Sequence, residues 1–439
     1  MNNFINIQTF GCTANQNNSE IIKGILMQSN YQLTNNPQIA DILILNTCIV
    51  KQKTENKIKR KIQDLTKQYP KKLLIITGCM PETDAKQIKQ LSPNSILLGT
   101  HHFKDIVKLI KNYQQSQLTE KKQKEYLKYQ DEQKLLLPKI SNNKLISITQ
   151  ISEGCLGDCS YCKTKLAKGP LFSYNQEDIL KSIKSDLQQG AKEIWITSQD
   201  CSAYGLDKNN LSQLPELLNN ILSINKKFKL RLGMSNPNHI LPILDQLIEI
   251  YKSPKLYKFL HIPIQSASDK LLTNMNRKYT TKQVKQIITK FKQEFPDITI
   301  STDIITGYPT ETQKDHEKNI KFIKTYKPDV FNLSKFSSHK NTKAGKLKPL
   351  LINTINKRTT ELMQIHRQTA QENKQKFLNQ IFKVFINNKT KIPNIYEARD
   401  PNYNIVLIKS NNKNILGKNI NTKINQVGVH HMIGEIVEI

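Results

Sequence analysis

Short apolar runs alternate with helical stretches along most of this chain, and that alternation limits its fold more than any other feature. "FINIQTF", "DILILN" and "KLLIIT" are each followed by a polar segment with apolar residues at helical spacing, such as "NSEIIKGILMQS" and "TENKIKRKIQDLTKQY". Strand then helix, repeated, builds a parallel sheet covered by helices. Residues 1–112 are therefore expected to form an N-terminal doubly wound parallel sheet, in an α/β chain. The alternation recurs six times over residues 140–370, with strands expected at "LISITQI", "EIWIT", "KLRLG", "FLHIP", "ITISTDI" and "VFNLSKF". Six units predict a central partial (β/α)6 barrel. From 371 to 439 the pattern changes to "IFKVFIN", "NIVLIKS" and "VHHMIGEIVEI", which predicts a small C-terminal antiparallel β-barrel. Residues 113–139, which include "SQLTEKKQKEYLKYQDEQK", read as a charged linker with some helix.

The cysteines fall where such a fold concentrates chemistry. Cys155, Cys159 and Cys162 lie in "EGCLGDCSYC", just past the first barrel strand. That end of a β/α barrel carries the active site. Zinc usually takes four closed ligands, whereas three thiolates on an iron–sulfur cube leave one iron open. Cys12, Cys48 and Cys79 each follow an expected strand of the first region. In a parallel sheet those ends share one edge, so the three can converge into a second thiolate set. The bland alternative is three small buried hydrophobes.

The 439 residues carry 66 Lys and Arg against 36 Asp and Glu, a net charge of +30. Such an excess points to a polyanionic partner, most simply nucleic acid. The excess is nearly all Lys in a chain rich in Asn and Ile, so biased codon usage is the competing explanation. There is no leader pattern and no apolar run of membrane-spanning length, which predicts a cytoplasmic protein with no membrane association. Seven cysteines in that setting read as metal or catalytic thiols.

Two three-cysteine sets followed by a β-barrel tail resemble the methylthiotransferase family of the radical S-adenosylmethionine superfamily. The resemblance rests on "TFGCTANQNNSE", "LNTCIV" and "TGCMPE", and on "EGCLGDCSYCKTKLAKG". It also rests on "EIWITSQDCSAYG", "RLGMSNP", "HIPIQSASD" and "TDIITGYPTET". These segments are closest to the branch acting on N6-threonylcarbamoyladenosine in tRNA. The resemblance implies two [4Fe–4S] clusters and S-adenosylmethionine as cofactors. Cys155, Cys159 and Cys162 would hold the cluster that reductively cleaves S-adenosylmethionine. Cys12, Cys48 and Cys79 would hold an auxiliary cluster that delivers sulfur. The product would be the 2-methylthio form of the nucleoside at tRNA position 37. Partners implied are tRNA through its anticodon loop, an electron donor protein and a sulfur donor. The tail is similar to an OB-like TRAM domain.

The same resemblance suggests cofactor contacts. Tyr161 matches an aromatic that packs on adenine, although an ordinary core aromatic is an equal reading. Ser198, Asp200, Arg231, Ser235, Asn236, Gln265, Ser266, Asp303 and Gly307 all follow or end expected strands, on the catalytic face. Lys165, Lys168, Lys383, Lys389, Lys391, Arg399 and Lys409 are candidate RNA contacts. Three departures stand out. Cys201 replaces a frequent Thr and reads as structural. Lys168 replaces Arg, losing a bidentate fork. "HKNT", from His339 to Thr342, replaces "RPGT". His101 and His102 read as surface or helix-start residues. The alternatives are methylthiolation of another tRNA adenosine or of a ribosomal protein, and a zinc-containing RNA-binding protein.

Overall fold

Strands buried on both faces read as continuous apolar runs, and "ILIL" and "LLII" are such runs. In the computed structural model, which describes residues 4–116, 125–127, 129–339 and 341–437, they are central strands of a parallel sheet. Its strands are β1 (Phe4–Thr9), β2 (Gln32–Leu33), β3 (Ile42–Thr47), β4 (Leu73–Gly78), β5 (Ile96–Leu98) and β6 (Glu125–Tyr126), in the order β2-β1-β3-β4-β5-β6. Successive side chains leave opposite faces. Leu43, Leu45, Leu74 and Ile76 meet α2 (Gln52–Gln68) and α3 (Cys79–Leu91) through Ile58, Ile62 and Ile88. Ile42, Ile44, Leu73 and Ile75 meet α1 (Thr13–Gln28) and α4 (Ile106–Ser116) through Ile22, Leu26, Ile106 and Ile110. Each such fully buried side chain contributes about 1.5–3 kcal/mol. The sheet is doubly wound, as the alternation implies.

Residues group into two compact units. One comprises Met1–Asn142, Ile148–Leu156 and Cys162–Ser182; the other comprises Asn143–Ser147, Gly157–Tyr161 and Ile183–Ile439. The first unit gains α5 (Lys163–Lys168), which Lys163 ties to Glu55 at 3.3 Å and Asp84 at 2.5 Å. The stretch expected as a linker is more structured than that word implies. Glu125–Tyr126 supplies β6, paired with β5, and Glu132 and Lys134 are buried. Residues 117–124 and 128 of that stretch lie outside the described residues.

The six strands expected of the partial barrel all form, as β7 (Ile146–Gln150), β10 (Glu193–Thr197), β11 (Lys229–Arg231), β12 (Phe259–His261), β13 (Thr299–Thr306) and β14 (Val330–Lys335). A short ribbon of β8 (Ser152–Glu153) and β9 (Phe172–Ser173) intervenes. The six make two three-stranded sheets, β11-β10-β7 and β12-β13-β14, joined by a parallel bridge between Leu230 and Leu256. Helices cover them where the 3.6-residue spacing predicts. Thr281–Glu294 starts with a Thr280–Gln283 capping box and buries Val284, Ile287, Ile288 and Phe291, satisfying first-turn N–H groups that would otherwise be orphaned.

The tail is a closed barrel of β15 (Ile381–Lys389), β16 (Ile395–Arg399), β17 (Ile405–Lys409), β18 (Asn419–Val427) and β19 (Met432–Ile436). Four of its pairings are antiparallel, and β17 with β19 is parallel. It meets the central strands at their N-terminal ends. Asn387 donates to Glu193 at 2.7 Å, and Lys258 N–H to the Pro401 carbonyl at 3.0 Å. Thr299 contacts Asn404 at 3.3 Å. The C-terminal ends, where the candidate site residues lie, face the other way. No helix among the described residues is long and apolar enough to cross a membrane.

Candidate functional site

The order β2-β1-β3-β4 places a topological switch point between β1 and β3, the position where open parallel sheets form a crevice at their strand C-termini. Cys12 follows β1, Cys48 follows β3, and Cys79 begins α3 directly after β4. Two glycines allow the crowding. Gly11 has φ 114°, and a Cβ there would meet the Cys48 Cβ at 2.6 Å; Gly78 has φ 92°, and a Cβ there would meet the Thr47 carbonyl at 2.4 Å. Only glycine takes such φ values without strain. Asn15 stitches the loops by donating to the Phe10 carbonyl at 2.9 Å and the Thr47 carbonyl at 2.8 Å. Cys48 and Cys79 are buried and Cys12 is exposed.

The three thiols interact electrostatically. Burial pushes the Cys48 thiol up, and charge on Cys12 adds to this. Burial pushes Cys79 up to about 12; nearby Lys168 opposes the rise, while Cys48 and Cys12 add to it. Thiolates that repel one another in a desolvated corner need a cation, and iron supplies it by displacing the protons. Among the described residues, no three His, Cys, Asp or Glu side chains gather as a cage for one metal ion. The grouping is looser, and a [4Fe–4S] cube takes its thiolates on separate iron atoms. The donor set and its desolvation fit that group.

Beside this edge lies a buried charge cluster that sequence reasoning did not foresee. Glu153 pairs with Lys134 at 2.5 Å, Lys168 at 3.7 Å and His101 at 3.6 Å. Burial alone would raise the Glu153 carboxyl, but Lys134, Lys168 and His101 together hold it down at about 2. His101 is therefore buried, not on the surface, and burial pushes it down to about 4. His102 sits beside Asp105 at 3.0 Å, at the start of a short 3-10 turn. Lys168, expected to touch RNA, is 2% exposed and has no route to a phosphate outside. Lys165 donates to the Cys155 carbonyl and so braces the loop.

The loop from Cys155 to Cys162 is anchored at both ends, and all three of its cysteines are half-buried. In the first unit, Cys155 N–H donates to the Gly169 carbonyl at 3.3 Å. Gly154 has φ 68°, and a Cβ there would run into the Pro170 carbonyl. In the second unit, Ser160 N–H donates to the Met275 carbonyl at 3.0 Å, and its carbonyl accepts from Ala344 N–H at 2.7 Å. Tyr161 packs against Leu271, Met275, Tyr308 and Ala344, a core-aromatic environment on at least one side.

Cys159 belongs to a network within the second unit. Arg277 donates to the Cys159 Sγ at 3.1 Å, to the Asn236 Oδ1 at 3.1 Å and to the Tyr279 hydroxyl at 3.0 Å. Asn236 N–H donates to Asp200 at 3.1 Å, and Asp200 meets His239 Nδ1 at 2.7 Å. Burial would raise the Asp200 carboxyl, but the bond and charge of His239, the Ser202 hydroxyl and Asn236 N–H hold it below the usual range. Asp200 and Asn236 are thus joined, and Arg277 and His239 are additions to the set read from the sequence. Arg277 lies in the short polar connection between the helices Asp269–Asn274 and Thr281–Glu294, where no local pattern marks it.

The other expected residues divide. Ser198 accepts from Asp200 N–H at 3.0 Å. Ser235 is buried, with no hydrogen-bond partner for its hydroxyl among the described residues. Gln265 has φ 62° and bonds through its backbone to Asp303 and Ile305. Asp303 pairs with His261 at 2.8 Å, Ser266 accepts from Ser268 N–H at 3.2 Å, and Gly307 N–H donates to Glu311 at 2.7 Å. Arg231 packs on aromatic rings. Its guanidinium lies over the rings of Phe259 at 5.1 Å and Tyr403 at 5.8 Å, the latter from the tail barrel. Arg399 also turns inward, pairing with Glu397 at 2.7 Å and lying 4.4 Å from the Tyr403 ring. Lys383, Lys389, Lys391 and Lys409 are exposed. Cys201 is fully buried, which pushes its thiol up to about 11. His339 accepts from Thr342 N–H at 3.0 Å through its carbonyl.

A partial β/α barrel with a C-x3-C-x2-C loop after its first strand defines a radical S-adenosylmethionine fold, and residues 149–323 match the Radical SAM superfamily. Residues 4–99 match the Uncharacterized protein family UPF0004. The chain is 34% identical over 432 residues to the probable threonylcarbamoyladenosine tRNA methylthiotransferase of Pyrococcus horikoshii, covering 98% of this chain and 99% of that one. It is also 34% identical over 440 residues to the threonylcarbamoyladenosine tRNA methylthiotransferase of Homo sapiens, covering 98% of this chain and 73% of the human protein. The chain belongs to the threonylcarbamoyladenosine tRNA methylthiotransferase family. Among solved structures, the radical S-adenosylmethionine methyltransferase TsrM from Kitasatospora setae, with cobalamin and a [4Fe-4S] cluster bound, shares the fold. Its TM-score is 0.56 at 12% identity, covering 79% of this chain and 77% of that one.

Proposed function

We propose that this chain converts N6-threonylcarbamoyladenosine at tRNA position 37 to its 2-methylthio form. The near-full-length match to relatives of that name carries the reading. It is supported by two sets of three cysteines, one inside each matched region. Cys155, Cys159 and Cys162 are the ligands for one [4Fe–4S] cluster, and Cys12, Cys48 and Cys79 for the other. With S-adenosylmethionine bound, the first cluster would supply the one-electron chemistry needed at an unactivated C–H bond, which polar acid–base groups do not break.

The chain's own residues bind and hold. Arg277 fixes Cys159 and spreads positive charge toward its sulfur. Asp200, His239 and Asn236 brace Arg277 from behind. Because the tail barrel sits at the N-terminal ends of the central strands, its exposed lysines would contact tRNA away from the reacting base. Phosphate contacts of this kind position without reading sequence. An electron donor protein and a sulfur donor complete the cycle.

The test is mass spectrometry of tRNA nucleosides from a strain lacking the gene, with and without the gene restored. Loss of the 2-methylthio nucleoside, with accumulation of its threonylcarbamoyl precursor and recovery on restoration, is the expected result. An unchanged nucleoside profile would sink the reading.

A further inference from the structure

Lys168 is a costly side chain to bury. Taking an ammonium out of water costs several kcal/mol unless it is paired and hydrogen-bonded. Yet its Nζ is buried and makes no hydrogen bond among the described residues. Its nearest carboxylate, Glu153, stands at 3.7 Å and is already engaged more closely by Lys134 at 2.5 Å and by Gln150 at 2.8 Å. One carboxylate thus serves two ammonium groups, and Lys168 holds the weaker share.

The rest of its surroundings point to the cysteine edge. Ala167, the preceding residue, packs in the same core cluster as Cys48 and Cys79. The helix that Lys168 ends, α5, packs against α3, which Cys79 begins. A buried cation with unused donors at the edge where Cys48 and Cys79 are buried has a clear complement, which is negative charge arriving at that edge.

We infer that Lys168 holds an anionic sulfur species, hydrosulfide or a persulfide, against the metal group carried by Cys12, Cys48 and Cys79. The inference rests on the proposed auxiliary cluster and adds a residue to it. Three thiolates would give such a cluster net negative charge, and an added sulfur anion would increase it. An ammonium with free N–H groups in a desolvated corner offsets that charge and orients the incoming sulfur. It acts through the group the cysteines hold, so it is a positioning residue. A lysine suits this task where an arginine fork would be harder to fit, because its compact charge demands no planar partner.

The test uses the reconstituted full chain, its Lys168→Met variant, which keeps length and apolar contacts, and Lys168→Gln, which keeps donors without charge. Sodium hydrosulfide is titrated in while the electron paramagnetic resonance spectrum of the reduced auxiliary cluster is followed, and the cluster's midpoint potential is measured. Both variants should keep their iron. Hydrosulfide should bind about ten- to a hundredfold more weakly, the worth of one hydrogen bond to a charged group. The midpoint potential should fall, because a nearby positive charge no longer favours the reduced form. Lys168→Arg should recover part of both effects. Unchanged hydrosulfide binding and potential in a folded, iron-loaded Met or Gln variant would overturn the role of Lys168 alone. Iron content that does not drop when Cys12, Cys48 and Cys79 are replaced would overturn the auxiliary cluster, and this inference with it.

Discussion

The two cysteine sets reach one kind of ligand chemistry by opposite routes. Cys155, Cys159 and Cys162 are neighbours in sequence, half-buried, and sit on a loop whose ends are tied down. Cys12, Cys48 and Cys79 lie in three separate loops and meet only because parallel strands share an edge. The first set is built by local chain geometry and would stand near solvent whether or not metal arrived. The second exists only when the sheet has folded, and folding pushes two of its thiols upward by desolvation. The neighbouring charges differ too. Arg277 reaches Cys159 directly through a hydrogen bond, whereas the Lys168 Nζ makes none among the described residues.

The strongest way to break this comparison is to remove one set at a time. Replacing Cys155, Cys159 and Cys162 with Ala should abolish S-adenosylmethionine cleavage and leave about half of the iron, since only one set of thiolate ligands is lost. Chromatography of 5′-deoxyadenosine and an iron assay read both. Iron that remains whole, or vanishes from a folded protein, would deny that the sets are independent. Cys48→Ala attacks the other side. Cleavage to 5′-deoxyadenosine should stay within about threefold of the parent, roughly 0.7 kcal/mol, while methylthio product disappears. Full product from that variant would remove the sulfur-delivery role.

The sequence exposes these two sets unequally for a physical reason. The C-x3-C-x2-C spacing is visible without a fold, and Cys12, Cys48 and Cys79 become visible once strand ends are marked, because apolar runs such as "LILN" and "LIIT" locate those ends. All six barrel strands follow from the same signal. Charged residues were harder to place. Lys168, Arg231, Arg399 and His101 look like surface or ligand-binding groups, but each is turned inward. Whether a cation is buried depends on partners that folding supplies, and Tyr403 lies 172 positions from Arg231 (403 − 231). Arg277 escaped notice likewise, since 118 positions separate it from Cys159. No local pattern encodes such a contact.

Arg277 sharpens the contrast at an intermediate scale. Arg277→Met removes three donors at once, one of them to a cluster thiol. Cleavage of S-adenosylmethionine should fall about ten- to a hundredfold, equivalent to one charge-assisted hydrogen bond. The potential of the radical cluster should drop, because hydrogen bonds to its sulfurs help set it. Arg277→Lys should rescue only in part, since a point charge cannot span Cys159, Asn236 and Tyr279 together. Auxiliary iron should be unaffected by either change. A Met variant with normal cleavage and potential would reduce Arg277 to a packing residue.

Asp200 offers the finest distinction, because it supports the loop's network without touching a cluster cysteine. Its carboxylate accepts from Ser202, Asn236 and His239 while almost fully buried. Held below the usual range, it binds protons less readily folded than unfolded. Its stabilising contribution is therefore fully present above the unfolded carboxylate value of about 4. That contribution is lost as pH falls through the lower folded value. Asp200→Asn should cost about 1–3 kcal/mol near neutral pH, the worth of hydrogen bonds to a charged group. In urea melts across pH, the gap between parent and variant should narrow on acidification, as protonation turns the parent carboxylate into a neutral group like the amide. On the auxiliary side, Asn15 braces the thiol loops through the Phe10 and Thr47 carbonyls. Matching changes there, such as Asn15→Ala, should give a stability loss that does not vary through this window. A gap for Asp200→Asn that stays constant from neutral to acid pH would mean that its charge contributes nothing. The loop's bracing would then be as uncharged as that of the other set.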